Sequence, residues 1–432
     1  MVKKKVKNLL ALFLSNPVFL AAVICACLFY SGAVPVKNRK EFCCLFPLEQ
    51  IASLEGTVAS SPVKSSSGKG FYSADFSVRN AVLKNGSETS CLGKVKILIP
   101  EETAEKYFPG KIYSVSKTDN DSPVIFETGN RFLLDVDFKG GDFPLFSVKN
   151  ALSFGFGENF WGKLQRFRCL CRLQFKRLMY GWKEAGGLLL ALLSGSREYT
   201  ESVTGEAFKN AGLSHILALS GMHLNLFGGL AFFFGSRIAK RSTADFLQLA
   251  AIVFFVWFAG LSPSLFRAML SSIMVFVNSA MRMRRFKGMT VLSATFLVHL
   301  MIFPEHLKSP AFMLSYGALA GIMSIGQLLK FFLGRTFFPK IASSLSESTG
   351  AQIFTAPVTL SLFGKLMPVG IIASIIVSPL VILFLYAGLF GTLICLVLPF
   401  LDGAFSAIMN AIYTILKEMV LFFAKAPPVG NL

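Results

Sequence analysis

Two hydropathy patterns share this chain. At residues 51–59, 70–79, 94–99, 111–116 and 130–138, polar and apolar residues alternate in short runs separated by Gly, Ser, Pro and Asn clusters. A period of two puts alternate side chains on one face, as in a half-buried strand. Five such runs predict a small β-barrel of the OB type. Elsewhere the apolar character is continuous. One stretch covers 9–34, and nine more cover 211–235, 246–261, 264–280, 288–303, 311–330, 352–366, 367–386, 388–401 and 405–424. Runs of about 20 apolar residues cross a hydrocarbon core of about 30 Å. Several of these are shorter and carry Gly or Pro, which predicts broken or re-entrant helices; these are tolerated only where protein or a water-filled cavity surrounds the backbone.

The pattern divides the chain into an N-terminal membrane anchor (1–34), an OB-like β domain (35–150), a basic amphipathic surface helix (151–184) and a multi-helix membrane domain (185–432). The predicted fold is a polytopic α-helical membrane protein of about ten spans with an inserted extracytoplasmic β-barrel. Composition agrees: of 432 residues, 53% are hydrophobic and 16% charged, which excludes a disordered chain and is unlike a soluble enzyme. The net charge of +19 is read first as topology. Lys3, Lys4, Lys5 and Lys7 place the N-terminus in the cytoplasm, and an apolar stretch this long, with Pro17 inside it, favours an uncleaved anchor over a signal peptide. The basic loops at Arg237, Lys240 and Arg241, at Arg282, Arg284, Arg285 and Lys287, and at Lys330, Arg335 and Lys340 then all fall on the cytoplasmic side, leaving the β domain outside. The eight cysteines show no C-x-x-C pair, so no metal site is expected; Cys43, Cys44, Cys91, Cys169 and Cys171 lie outside the spans and are open to disulfide pairing in an oxidising compartment.

Candidate chemistry sits in four places. Arg166, Arg168 and Arg172, with Lys176 and Arg177, are interleaved with aromatic and aliphatic residues from 158 to 182. That reads as a helix on a lipid surface, with reception of an anionic polymer as the second reading. Phe71 and Tyr72 on a predicted strand could stack on bases, although strand aromatics more often fill a core. His215 and His223 interrupt an apolar span, with Ser220 and Gly221 between them. Eight residues apart on a straight helix, the histidines are badly placed to share a metal. Ser220 and His223 resemble a nucleophile and base without an orienting carboxylate, so a polar stripe that packs helices or lines a passage is favoured over an intramembrane hydrolase. Arg267 follows Pro263 inside another span with no acid near it in sequence; it either snorkels to the interface, pairs with backbone carbonyls or meets a phosphate.

These segments resemble the ComEC family of competence proteins. AGLSHILALSGMHL at 211–224 is similar to the family pattern G-x-x-H-L-L-A-I-S-G-x-H. GLSPSLFRAML at 260–270 and FMLSYGALAGI at 312–322 follow in order, with Met313 where the pattern has Gln. EGTVASSP at 55–62 and FPGKIYSV at 108–115 resemble the family's extracytoplasmic domain. The resemblance implies a non-enzymatic channel that carries single-stranded DNA across the bacterial cytoplasmic membrane during natural transformation, with His215, Ser220, Gly221, His223, Pro263, Arg267 and Ser315 on or shaping the path. No cofactor is implied. The expected partners are single-stranded DNA, membrane lipid, a cytoplasmic helicase and an outer DNA receptor, and self-association is compatible with a pore. The metallo-β-lactamase-like nuclease domain that many family members carry is not expected within these residues. The alternatives are a small-molecule or lipid-linked transporter and, behind it, the hydrolase.

Overall fold

The computed structural model describes residues 16–31, 33, 42–60, 62–64, 70–100, 126–140, 144–196, 200, 202–238, 240–281, 288–336 and 338–429. The strand expected at 111–116, with Tyr113 and the surrounding FPGKIYSV motif, lies outside these residues, as do the basic loop 282–287 and the N-terminal lysines.

Among the described residues, six strands belong to the β domain: β1 (Ile51–Val58), β2 (Val63–Lys64), β3 (Phe71–Leu83), β4 (Glu88–Pro100), β5 (Arg131–Phe138) and β6 (Leu145–Gly155). The order β1-β5-β6-β4-β3 closes through a β1–β3 pairing, and β2 adds to the edge of β3. All pairings are antiparallel except β4 with β6. Alternation buries one face of each strand, so Phe76, Phe132 and Phe146 are fully buried, and Phe126 stacks on Phe132 at 4.3 Å between ring centroids. Sequence alternation missed β6 because its register shifts opposite Asp135 and Val136. Phe146 and Val148 are buried, the next buried position is Ala151, and the period of two is broken by the extra residue.

Before the barrel, helix α1 (Pro17–Tyr30) starts at Asn16, whose side chain caps Val18 N–H and donates to Thr290 Oγ1 at 2.8 Å. After it come α2 (Phe160–Gly181), α3 (Lys183–Ser194), α4 (Ser202–Asn210), α5 (Ser214–Leu217), α6 (Gly221–Ile238), α7 (Arg241–Ala259), α8 (Pro263–Ala280) and α9 (Gly288–Ile302). The chain continues through α10 (Pro310–Gly321), a π-helical turn (Ile322–Gly326), α11 (Gln327–Leu333), α12 (Pro339–Phe363), α13 (Val369–Val397) and α14 (Asp402–Ala424). Among the described residues, four stretches are both long and apolar enough to cross a membrane: Arg241–Ala259, Pro310–Leu333, Val369–Val397 and Pro399–Ala424.

Two sequence expectations change here. The segments read separately at 367–386 and 388–401 belong largely to one 29-residue helix, α13. Two glycines within it are close-approach positions, because a Cβ on Gly388 would meet Leu189 and one on Gly391 would meet Trp182. Helix α12 begins at Pro339, well before the span expected at 352, because its serines are used internally: Ser346 is fully buried and Ser348 lies 3.1 Å from the Ser374 hydroxyl.

The basic helix α2 pairs with α3 as a hairpin. Every residue of α3 from Ala185 to Ser194 is buried, which its Leu- and Ala-rich sequence satisfies on all sides, and it ends at Gly195 with φ +74°. The tight turn puts Lys183 at φ 53°. Helix α14 holds that turn: Asn410 Nδ2 donates to Trp182 O at 3.0 Å, and Trp182 Nε1 donates to Asp402 Oδ1 at 2.6 Å. Trp182 is fully buried. The hairpin is thus the centre of the largest apolar cluster, packed with α13 and α14.

Candidate functional site

The first histidine motif does not form one helix. Gly212, at φ +71°, turns the chain into the single turn α5; Ala218 is extended, and α6 starts afresh at Gly221. His215 therefore sits on α5, exposed on the fold, while His223 sits in the first turn of α6 with 1% exposure. The Ser220 N–H donates to His223 Nδ1 at 3.2 Å, and the Ser220 hydroxyl lies 3.3 Å from the same atom. Ser220 Oγ also accepts from Met222 N–H at 3.3 Å. Ser220 and His223 thus cap the start of α6 for one another. Accepting from a backbone amide leaves Nδ1 poorly placed as a base, and among the described residues no carboxylate hydrogen-bonds to His223 to orient it.

Arg267 reaches this same helix start. Pro263 occupies the first turn of α8, with Ser262 as N-cap accepting from Leu265 N–H at 3.3 Å. One turn further in, Arg267 is 7% exposed, and its Nη1 donates to Ser315 O on α10 at 3.3 Å. A Cβ on Gly221 would come within 3.2 Å of Arg267 Nη2, so the glycine is what admits the guanidinium. Arg267 Nε and His223 Nε2 are buried without a hydrogen-bond partner. No ion pair to Arg267 occurs among the described residues. The fold thus brings together Ser220, Gly221, His223, Arg267 and Ser315, from three separate sequence motifs.

Sequence reasoning missed the layer behind them. His299 on α9 is fully buried; its Nδ1 lies 3.2 Å from Tyr316 Oη and its Nε2 2.9 Å from His306 Nδ1. Tyr316 Oη donates to Thr295 O at 3.1 Å, and Phe266, the neighbour of Arg267, sets its ring edge-on to His299 at 4.9 Å. The signal was present, since polar side chains inside an apolar span are costly unless they meet one another.

The arginines of α2 divide into two groups. Arg166 is exposed. Arg172 and Lys176 are buried, which corrects the expectation that Arg172 faces a lipid surface or an arriving polymer. Lys176 Nζ pairs with Glu127 Oε1 at 2.9 Å, Arg172 Nε lies 3.6 Å from Glu127 Oε2, and Arg172 Nη2 donates to Ser196 Oγ at 2.9 Å. Arg172 Nη1 also donates to Phe258 O at 2.8 Å, and Arg168, half-buried, reaches that carbonyl at 3.4 Å. Two cations thus cover the carbonyl end of α7, where the helix dipole favours positive charge. Phe71 is half-buried on β3, and Tyr72 packs against the barrel core. The structure brings the Cys44 and Cys91 sulfurs together, two of the five cysteines open to pairing from the sequence.

The sequence model of a family described as "Competence protein" matches residues 192–430. ComE operon protein 3 of Bacillus subtilis is 25% identical over 45% of this chain and 25% of its own length. Recombination protein 2 of Haemophilus influenzae is 29% identical over 45% of the chain and 26% of its own length. An uncharacterized protein of Aquifex aeolicus is 31% identical over 55% of the chain and 54% of its own length. The matched region thus spans between a quarter and about half of these relatives. No solved structure matches the chain. The matched region holds every element of the site, from α5 to α10, and the chain belongs to the ComEC family of competence proteins.

Proposed function

We propose that this protein carries a single strand of DNA across the bacterial cytoplasmic membrane during transformation, without itself cleaving it. The observation that carries the reading is Arg267: a buried guanidinium between three helices, with no ion pair to an acid among the described residues and its Nε left unpaired beside the amino end of α6. Such a charge is costly inside a membrane and is kept where it meets an anion in passage. A helix amino terminus adds partial positive charge in the same place. Moving phosphates need contacts strong enough to replace water but few enough to release, and one arginine with one helix end fits that demand.

The β domain is an OB-type barrel on the outer face, with the N-terminus in the cytoplasm. The strand order and the lone parallel pairing of β4 with β6 support the barrel type, and the positive loops support the orientation. The helicase and the outer receptor expected from the family would act at the two ends of the path.

The test is uptake of end-labelled double-stranded DNA into a nuclease-protected cytoplasmic fraction. Cells carrying Arg267→Ala at wild-type protein levels are expected to bind DNA at the surface normally and lose at least about 90% of protected label. Undiminished protected label would overturn the reading.

A further inference from the structure

Away from the membrane site, the barrel and the first turn of α2 border an open cavity of about 460 Å³. Arg79 on β3, Arg131 at the start of β5 and Trp161 on α2 line it. Arg79 and Trp161 are exposed, Trp161 at 67%, so the cavity is reachable. The Arg131 Nε is buried without a hydrogen-bond partner. Its walls are fixed. Asn159 caps α2 by accepting from Gly162 N–H at 2.8 Å, and a side chain on Gly162 would run into the Gly157 carbonyl, so loop and helix lie in close contact. Gly129, at φ +94°, lies against Gln165, and two residues earlier Glu127 pairs with Lys176. The same loop therefore borders the cavity and anchors the barrel to the hairpin.

We propose that this cavity is a nucleotide-docking site for the incoming single strand. The inference rests on the reading above that DNA is the cargo, and it adds a place where the strand is first held. Arg79 and Arg131 take backbone phosphates, to which a guanidinium fork can bind through two hydrogen bonds, and the positive end of α2 faces the same space. Trp161 offers an exposed face on which a base stacks, worth about 1–3 kcal/mol and tolerant of sequence. Glu158 at the rim repels phosphate from its side and offers its carboxylate to exocyclic amines. The volume falls within the about 300–1,000 Å³ of sites that hold a molecule of nucleotide size. Two arginines from separate strands beside one exposed indole favour a nucleotide over a lipid surface, where an aromatic anchor needs no paired guanidiniums.

The experiment uses the full chain in zwitterionic nanodiscs and a fluorescent 15-residue oligothymidylate, read by anisotropy across a salt series. An Arg79→Ala, Arg131→Ala double variant is expected to bind at least about tenfold more weakly, with the salt slope reduced by about 1.4 for two lost phosphate contacts on a single strand. Trp161→Ala should weaken binding about fivefold or more, and Trp161→Phe should restore most of it, since the ring rather than the indole N–H carries the stacking. Wild-type affinity and slope in the double variant would overturn the site. So would a Trp161→Ala protein that keeps its oligonucleotide affinity in the same nanodiscs, because the indole would then carry no stacking. Docking is read here and passage in the Arg267 uptake assay, so either can fail without the other.

Discussion

The barrel and the helical region solve opposite problems with the same residue types. In the barrel, phenylalanines go inward: Phe76, Phe132 and Phe146 are fully buried while Asp137 and Lys149 pair at 2.7 Å on the outside. In the helical region, Phe233, Phe234, Phe254 and Val275 are about half exposed, whereas Arg267, His223, His299 and Asn278 are buried. A core surrounded by water must gather apolar surface, but lipid removes that drive, and polar groups then gather inside: His299 meets Tyr316 and His306, while Arg267 Nε, His223 Nε2 and Asn278 Oδ1 stay without a hydrogen-bond partner. The junction between the two environments is a buried ion cluster, Glu127 with Lys176 and Arg172, contributed from both sides.

This contrast can be broken in a graded way. The largest effect is expected at the junction. Glu127→Gln removes the buried carboxylate charge that Lys176 and Arg172 share, which costs about 3–5 kcal/mol and should free the barrel for limited proteolysis. If the variant matched wild type in melting temperature and protease resistance, the cluster would not be what joins the two parts. Phe76→Ala should cost about 3–5 kcal/mol through lost burial and cavity formation, whereas Phe254→Ala, on the lipid-facing side, should shift the melting temperature of detergent-solubilised protein by little. Equal losses would erase the distinction between the two regions. Ser220→Ala removes a cap on α6, a loss of about 1 kcal/mol, and should keep most DNA passage; complete loss would revive the hydrolase. The smallest effect is at Asp137, whose carboxyl the hydrogen-bonded Lys149 holds below its usual range. The stability it adds is present above the ordinary carboxylate value and lost as pH falls through the lowered one, so Lys149→Ala should flatten only the acid limb of a pH–stability curve.

Much of this was legible in the chain. Period-two alternation located β1, β3, β4 and β5, and the Ser-Pro turn located the start of α8 at Pro263, whereas the continuous span read at 211–235 concealed the break that precedes α6 at Gly221. Three features were hidden for physical reasons. Strand β6 carries a bulge that breaks its own period. The segments at 367–386 and 388–401 read as separate spans, yet α13 runs through both, with Gly388 and Gly391 where Leu189 and Trp182 approach. Arg172 and Lys176 looked like surface charge because their partner, Glu127, is 45 or more residues away in sequence and arrives only through the barrel fold. Long-range pairing also explains the site: Gly221, Arg267 and Ser315 each stood out in their own motif, but only the packing of α6, α8 and α10 shows that they meet.

The central claim is that the strand passes Arg267 at the start of α6. The direct test places a photocrosslinking side chain at Met222, in that first turn, and a second one at Phe254, on the outward face of α7, and irradiates cells during uptake of radiolabelled DNA. The account predicts a DNA adduct from position 222 that disappears with Arg267→Ala, and none from position 254. No adduct at 222, or equal adducts at both positions, would contradict it.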